Sequence, residues 1–304
     1  MQQQPLVSII TVNYNGTQIT HDFLASLEKC TYKNIEIFVV DNASSNPPVE
    51  LKEKFPHVNL ILSKENLGFA GGNNLAIKES KGKYVFLLNN DTEVDPGFLE
   101  PIVDLMESDE TIGIASSKLI YYSKPDTLQF AGSYGLNFYT GRVFAIGHKE
   151  LDSEQFTKNY KTSLAHGAAM MISRKALEKV GLMADLYFLY YEEIDFCERV
   201  KRAGFSIWYC GFSKVFHKES MSVGKESPMK IYYITRNRII FTRRNTFGFQ
   251  RIIALLFFYC ISFPKGIIYY LFKKEFKLLA AFVKGAAWNL VNKDIYYNTG
   301  LIIK

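Results

Sequence analysis

The sequence predicts an α/β protein, a doubly wound sheet followed by an amphipathic helical extension. Three observations carry that prediction. First, "LVSIITV" (6–12), "IEIFVV" (35–40), "VNLIL" (58–62) and "YVFLL" (84–88) are mostly apolar runs rich in β-branched residues, as suits strands of a parallel sheet covered on both faces. Second, segments of helical spacing separate them, at 17–29, 49–55 and 71–80, and a β-α-β-α order winds such a sheet on both sides. Third, each run leads into a polar cluster: "NYNG" (13–16), "DNASS" (41–45), "KENLGFAGGNN" (64–74) and "NNDTE" (89–93). Open α/β sheets bind ligands outside the carboxyl ends of their strands, so four such clusters define one rim.

The later elements read in order. "DPGFLEPIVDLM" opens a helix, with Asp95 as its N-cap and Pro96 at the first helical position. Residues 120–165, rich in Tyr, Gly and Ser, keep no sustained period and are expected to form loops and short strands. "GAAMMISRKALEKVG" (167–181) reads as a strand running into a short helix. "EEIDFCERVKRAG" (192–204) is a helix with Ile194, Phe196, Cys197 and Val200 on one face and Gly204 as its stop. Composition then changes: residues 1–245 form the sheet-bearing domain, and 246–304 form a basic, aromatic tail. Its apolar run from Ile252 to Phe263 is too short to span a membrane, and Pro264-Lys265-Gly266 is expected to break it. Two amphipathic helices in a membrane interface, lysines at headgroup level, fit that pattern. A hairpin packed on the body and a true span are the alternatives.

Composition narrows the function. A chain of 304 residues, 48% hydrophobic and 22% charged, is globular and long enough to bury a large core. Cys30, Cys197, Cys210 and Cys260 form no CxxC pair, which argues against a zinc or disulfide framework and fits a reducing, cytoplasmic compartment. "MQQQPLVSII" has neither the basic nor the apolar region of a secretory leader. From Arg199 onward there are 19 Lys and Arg against 4 Asp and Glu, whereas residues 1–198 hold 17 against 26. A basic tail on an acidic body calls for an anionic partner. Nucleic acid is disfavoured, because the basic residues are interleaved with long aliphatic runs that it does not require. An anionic membrane surface or a phosphorylated substrate fits better.

At the strand ends, Asp91 is placed to hold a divalent cation that bridges phosphates, although Asp-Thr before a helix also makes a turn or cap. Asp41 offers an acceptor to a base or ribose. The glycines of "NLGFAGGNN" permit close backbone approach ahead of a helix N-terminus that favours anions. The stretch is neither GxGxxG nor a phosphate-binding P-loop. Glu192, Glu193 and Asp195 make an acidic helix start, which either serves the helix dipole or supplies a general base. His217 is a ligand or a structural imidazole. Arg236 and Arg238 suit phosphate recognition or a solvated basic face.

Taken in order, "VSIITVNYNG", "VVDNASS", "ENLGFAGGNN", "FLLNNDTEV", "YFLYYEEIDFCERVKRAG", "VFHKESMS" and "YYITRNRIIF" resemble family 2 glycosyltransferases, in particular the rhamnosyltransferase-like branch of bacterial surface polysaccharide synthesis. The resemblance spans roughly residues 5–245, and the tail also looks like that branch's C-terminal helices. It implies a GT-A fold, a nucleotide-diphospho-sugar donor and Mn2+ or Mg2+. Carried over by position, it places Val12 and Tyr14 near the nucleobase and Asp41 on base or ribose. Asn66, Gly68 and Asn73 would line the nucleotide-sugar side. The family's DxD motif falls on Asn89, Asn90 and Asp91, with Asp91 as metal ligand and Asn89 as a neutral hydrogen-bonding partner. His217 would complete the metal shell; beside these, the planar fork of Arg236 or Arg238 suits the diphosphate or a lipid-phosphate acceptor. The family's Glu-Asp base motif is Glu192-Glu193 here. Glu193 is the expected base, Glu192 the runner-up and Asp195 a supporting acid.

The function expected is therefore inverting transfer of a sugar, rhamnose among the candidates, to a lipid-linked or polysaccharide acceptor at the inner face of the cell membrane. A second copy of the chain is left open as a partner. A sugar-phosphate nucleotidyltransferase is a competing enzyme class, but the Gly- and Lys-rich signature it needs is missing from "VSIITVNYNGTQ". A non-catalytic anionic-polymer-binding protein is a third reading.

Overall fold

A computed structural model describes residues 4–218 and 227–295. The second half of the "VFHKESMS" block and the last nine residues of the tail lie outside the described residues. The four expected runs form β1 (Val7–Asn13), β2 (Ile35–Asp41), β3 (Val58–Leu62) and β4 (Tyr84–Leu88), with α1 (Thr17–Leu27), α2 (Glu50–Lys54) and α3 (Gly68–Glu79) between them. There follow β5 (Thr92–Val94), α4 (Leu99–Ser108), β6 (Ile112–Tyr121), β7 (Lys124–Phe130), β8 (Ser133–Asn137), β9 (Arg142–Ala145) and β10 (Asn159–Lys161). The chain continues through β11 (Ala169–Ser173), α5 (Arg174–Val180), α6 (Glu192–Arg202), β12 (Ser206–His217) and α7 (Pro228–Asn245). It ends in α8 (Gly248–Phe257), α9 (Phe263–Phe272) and α10 (Phe276–Val291).

The strands build one ten-stranded sheet in the order β10-β12-β6-β11-β4-β1-β2-β3, with β5 on β12 and β7 on β6, and β8–β9 stand apart as a hairpin. Strands β1 to β4 pair in parallel. Antiparallel β11 then joins β4 to β6 and makes the sheet mixed. Alternation along each strand feeds two cores. Val7, Ile9 and Phe86 meet Phe23 of α1 and Ile102 of α4. Ile10, Val85 and Leu87 meet Ile77 of α3, Leu177 of α5 and Phe196 of α6.

Two central strands were not expected from the sequence. Their apolar pattern is interrupted: β6 carries Ser116, Ser117 and Lys118, all completely buried. Lys118 is tolerated there because its Nζ meets Asp152 at 2.7 Å and Thr157 at 3.0 Å, pairing the buried charge. Its neighbour β12 runs parallel to β6 from Ser206 to His217 and so delivers His217 to the rim.

Two punctuation marks behave differently from expectation. Asp95 does not cap α4: its Oδ1 accepts from Gly97 N at 3.1 Å, a local turn, and the helix starts three residues later, after Phe98. Pro264 does not break the tail. Phe258–Ser262 forms one turn of π-helix, and Pro264 then lies in the first turn of α9, where its missing N–H matters least. Gly248–Phe272 is thus a single apolar helix of 25 residues, with mean hydropathy 1.9 over its most apolar 18-residue stretch. At 1.5 Å per residue that is about 37 Å, so length no longer argues against a span. By contrast α10 is docked: Gly285 sits where a Cβ would approach Tyr232 O of α7 at 2.6 Å.

Candidate active site

The four clusters converge at the carboxyl ends of the parallel strands, as expected. They border a cleft of about 510 Å³ that holds Val12, Tyr14, Asn66, Gly68, Asn89, Asn90, Asp91, Glu192, Glu193 and His217. The asparagine-rich loop after β4 and the paired glutamates at the start of α6 therefore share one cavity.

At one side Asp91 Oδ1 lies 3.1 Å from His217 Nε2. The other ring nitrogen, Nδ1, is 2.7 Å from Gln129 Oε1 on β7. A proton on Nδ1, donated to Gln129, leaves the Nε2 lone pair facing a carboxylate. That arrangement is favourable when a cation shares the two ligands, and the partner on the outer nitrogen is the usual support of a metal-bound imidazole. Among the described residues no group of three or more His, Cys, Asp and Glu could enclose a metal by itself. The donor set thus fits a cation that takes its remaining oxygens from substrate phosphates and water, the habit of Mg2+ and Mn2+.

His166 sits in the same wall and was not anticipated. Its Nδ1 accepts from Ala168 N at 3.1 Å, so the proton lies on Nε2. Burial, then neighbouring His217, pushes its pKa down to about 3. It is a neutral N–H donor at any working pH.

The cleft also carries two adjacent acids. Glu192 is 3% exposed and its Oε2 has no hydrogen-bond partner, whereas Glu193 is only partly buried. Burial first, and then the charge of Glu193, holds the Glu192 carboxyl well above the usual glutamate range; burial also raises Glu193. Two adjacent carboxyls in a dry site divide the work: the deeper one keeps its proton and the shallower one ionises.

Four expected site residues are not among those lining the cleft. Asp41 is buried and turned into its own loop, accepting from Asn13 Nδ2 at 2.7 Å and from Ser44 Oγ at 2.6 Å. Its neighbour Asn42 faces the cleft instead and tethers the glycine loop through Gly68 O at 2.8 Å. Asn73 is inside α3, donating to Phe69 O. Asp195 is a buried buttress bound by Tyr187, Arg199, Arg244 and Asn245. Burial raises its carboxyl, but the charges of Arg199 and Arg244 outweigh that and hold it below the usual range. Arg236 is committed to the carbonyls of Leu186 and Tyr187 at 2.7 and 2.8 Å, which takes it out of phosphate recognition. Besides His166, the unforeseen lining residues include Gln129 and Lys230, from segments without a motif of their own, and Phe188, from the tyrosine-rich start of the block that ends in the paired glutamates.

Comparison with known proteins places this geometry. Residues 8–181 match the model of glycosyl transferase family 2. A low-salt glycan biosynthesis hexosyltransferase of Haloferax volcanii is 27% identical over 297 residues, covering 94% of this chain and 92% of that protein. An N-acetylglucosaminyl-diphospho-decaprenol L-rhamnosyltransferase of Mycobacterium tuberculosis is 22% identical over 269 residues, covering 81% and 87%. Among solved structures, a mannosyltransferase of Pyrobaculum calidifontis in complex with GDP-Man and Mn2+ superposes with a TM-score of 0.58 at 14% identity, covering 96% of this chain and 89% of that one. That likeness establishes the GT-A fold. With strand-end cleft, fold and matched model in agreement, the chain belongs to glycosyl transferase family 2 and is a glycosyltransferase that uses a nucleotide-sugar donor.

Proposed function

We propose that the enzyme transfers a hexosyl or deoxyhexosyl group, rhamnose being the leading candidate, with inversion at the anomeric carbon. The observation that supports this reading is that Asp91–His217 and Glu192–Glu193 line one and the same cleft. Asp91 and His217 would hold Mn2+ or Mg2+, which when bound neutralises charge on the departing diphosphate. Val12, Tyr14 and Asn66 would bind the donor, and Asn89 and Asn90 would place neutral donors beside the sugar. Glu193 takes the proton of the acceptor hydroxyl as that oxygen forms a bond to the anomeric carbon. The bond from that carbon to the diphosphate breaks with its electron pair leaving on the nucleotide, and configuration inverts.

The acceptor is a lipid-linked glycan. The rhamnosyltransferase relative is named for a sugar diphosphate on decaprenol, and this chain carries a fitting apolar surface. Phe249, Ile252, Leu256, Ile268 and Phe272 are all more than half exposed along α8 and α9. Arg251 and Lys265 punctuate that helix and Lys273 follows it. An apolar face edged with cations lies in the interface of an anionic membrane, lysines snorkelling to the headgroups. The 246–304 extension would thus keep the catalytic domain at the cytoplasmic face, beside an anchored acceptor.

The test is a donor screen that follows metal-dependent nucleotide release and product configuration by NMR, repeated with Asp91→Ala and Glu193→Gln. Glu193→Gln should lose about 10²–10⁴-fold in transfer while still binding donor and metal, and Asp91→Ala should lose both binding and transfer. Full transfer by Glu193→Gln, or a product of retained configuration, overturns the reading.

A further inference from the structure

The acids of the cleft are delivered by an unusual piece of backbone. Phe188, Tyr190 and Tyr191 all have positive φ, at 65°, 69° and 75°, a region that bulky L-residues avoid. Phe188 (φ 65°, ψ −57°) centres a γ-turn of the rare positive-φ form, closed by Leu189 N to Tyr187 O at 2.7 Å. Tyr191 is the left-handed residue from which α6 starts, with Glu192 and Glu193 next. Such a conformation persists only where its surroundings over-determine it, and such strain gathers at working sites.

Besides Phe69 N, which donates to Phe188 O, and Gly141 O, which accepts from Tyr191 Oη, two side chains of α7 hold this segment. Asn237, fully buried, points its Nδ2 at three carbonyls of the strained segment: Tyr187 O at 2.9 Å, Leu189 O at 2.7 Å and Tyr190 O at 2.8 Å. Its Oδ1 accepts from Arg236 Nε at 2.8 Å, which fixes the amide so that its N–H groups face the turn. The Arg236 guanidinium is in turn stacked against Tyr233 at 4.8 Å and Trp288 at 5.2 Å. Nothing in this arrangement reaches the cleft directly, yet it determines where the carboxylates stand.

We propose that Asn237, locked by Arg236, is the positioning residue for the general base: it holds the left-handed 188–191 turn that aims Glu193 into the cleft. The inference rests on Glu193 being the base, and its test separates the two claims. Steady-state transfer and the pH profile of kcat/KM are measured on full-length Asn237→Ala, Arg236→Lys and Glu193→Gln, with donor KM and melting temperature recorded for each. Arg236→Lys keeps the charge but loses the fork, and serves if Asn237→Ala does not fold. The expected result is a fall in kcat of about 10–100-fold at nearly unchanged donor KM, the effect of a small misplacement of a catalytic group. The acid limb of the profile should also move toward ordinary glutamate values, because a displaced Glu193 regains water. Loss of melting temperature with kcat and acid limb unchanged would make the clamp merely structural and overturn the inference, provided Glu193→Gln is inactive. An active Glu193→Gln would instead remove the base assignment, and the inference with it.

Discussion

Gly68 is where the donor loop and the strained turn touch, so its replacement by alanine can be worked through from the structure. Its φ is +69°, and an added Cβ would overlap the carbonyl of Phe188. The left-handed conformation costs an alanine about 1–2 kcal/mol. The overlap forces the two segments apart and sacrifices the bond from Phe69 N to Phe188 O, 2.7 Å long, a net loss of about 0.5–1.5 kcal/mol. Together these come to about 1.5–3.5 kcal/mol, which lowers Tm by roughly 2–6 °C in a chain of this size. Calorimetry on Gly68→Ala measures it directly. Gly97→Ala is the control, since its nearest neighbour is Asp95 Oδ1 at 3.8 Å and its φ is ordinary; it should stay within about 0.5 kcal/mol of the parent. Because Phe188 and Leu189 line the cleft, Gly68→Ala should also lose transfer activity. A Gly68→Ala protein with the parent's Tm and activity would refute the claim that these segments are pressed together.

Further outcomes follow from the same geometry. The raised pKa of Glu192 means the folded protein holds a proton that the unfolded chain has already released, so stability falls as pH rises above the ordinary glutamate value, by up to about 1.4 kcal/mol per unit. Glu192→Gln, which mimics the protonated acid, should therefore raise Tm over the parent at pH 8 and scarcely at pH 4.5; an equal gap at both would contradict a proton-bearing Glu192. Replacing Phe249 and Phe272 together by Glu should weaken co-sedimentation with anionic vesicles by at least tenfold or so, from the apolar area lost. Unchanged sedimentation would leave the tail without its membrane role.

What could be read from residues alone follows from the regularity of parallel sheets. Strands β1 to β4 announce themselves as apolar runs, and strand ends on one edge must lie together, so Asn66, Asn89, Asp91 and Tyr14 could be assigned to one rim without coordinates. The acidic start of α6 was equally legible, since helical spacing and the Gly204 stop define that element. What the tertiary structure decided was which side chain of each cluster faces the cleft. Asp41 and Asn42 are consecutive, and only the path of the chain after β2 turns the amide toward Gly68 and the acid into its loop. Gln129 and His166 come from segments without periodicity, brought beside His217 by β6, β11 and β12. Of these, β11 was legible, but β6 was hidden because a buried lysine is allowed wherever Asp152 arrives to meet it, and that partner is 34 residues away. The arginines of "RNR" look like phosphate binders in one dimension. In three, Arg236 and the asparagine between them bind the backbone at a strained turn, because hydrogen-bond donors on a buried helix face serve whatever carbonyls packing brings to them.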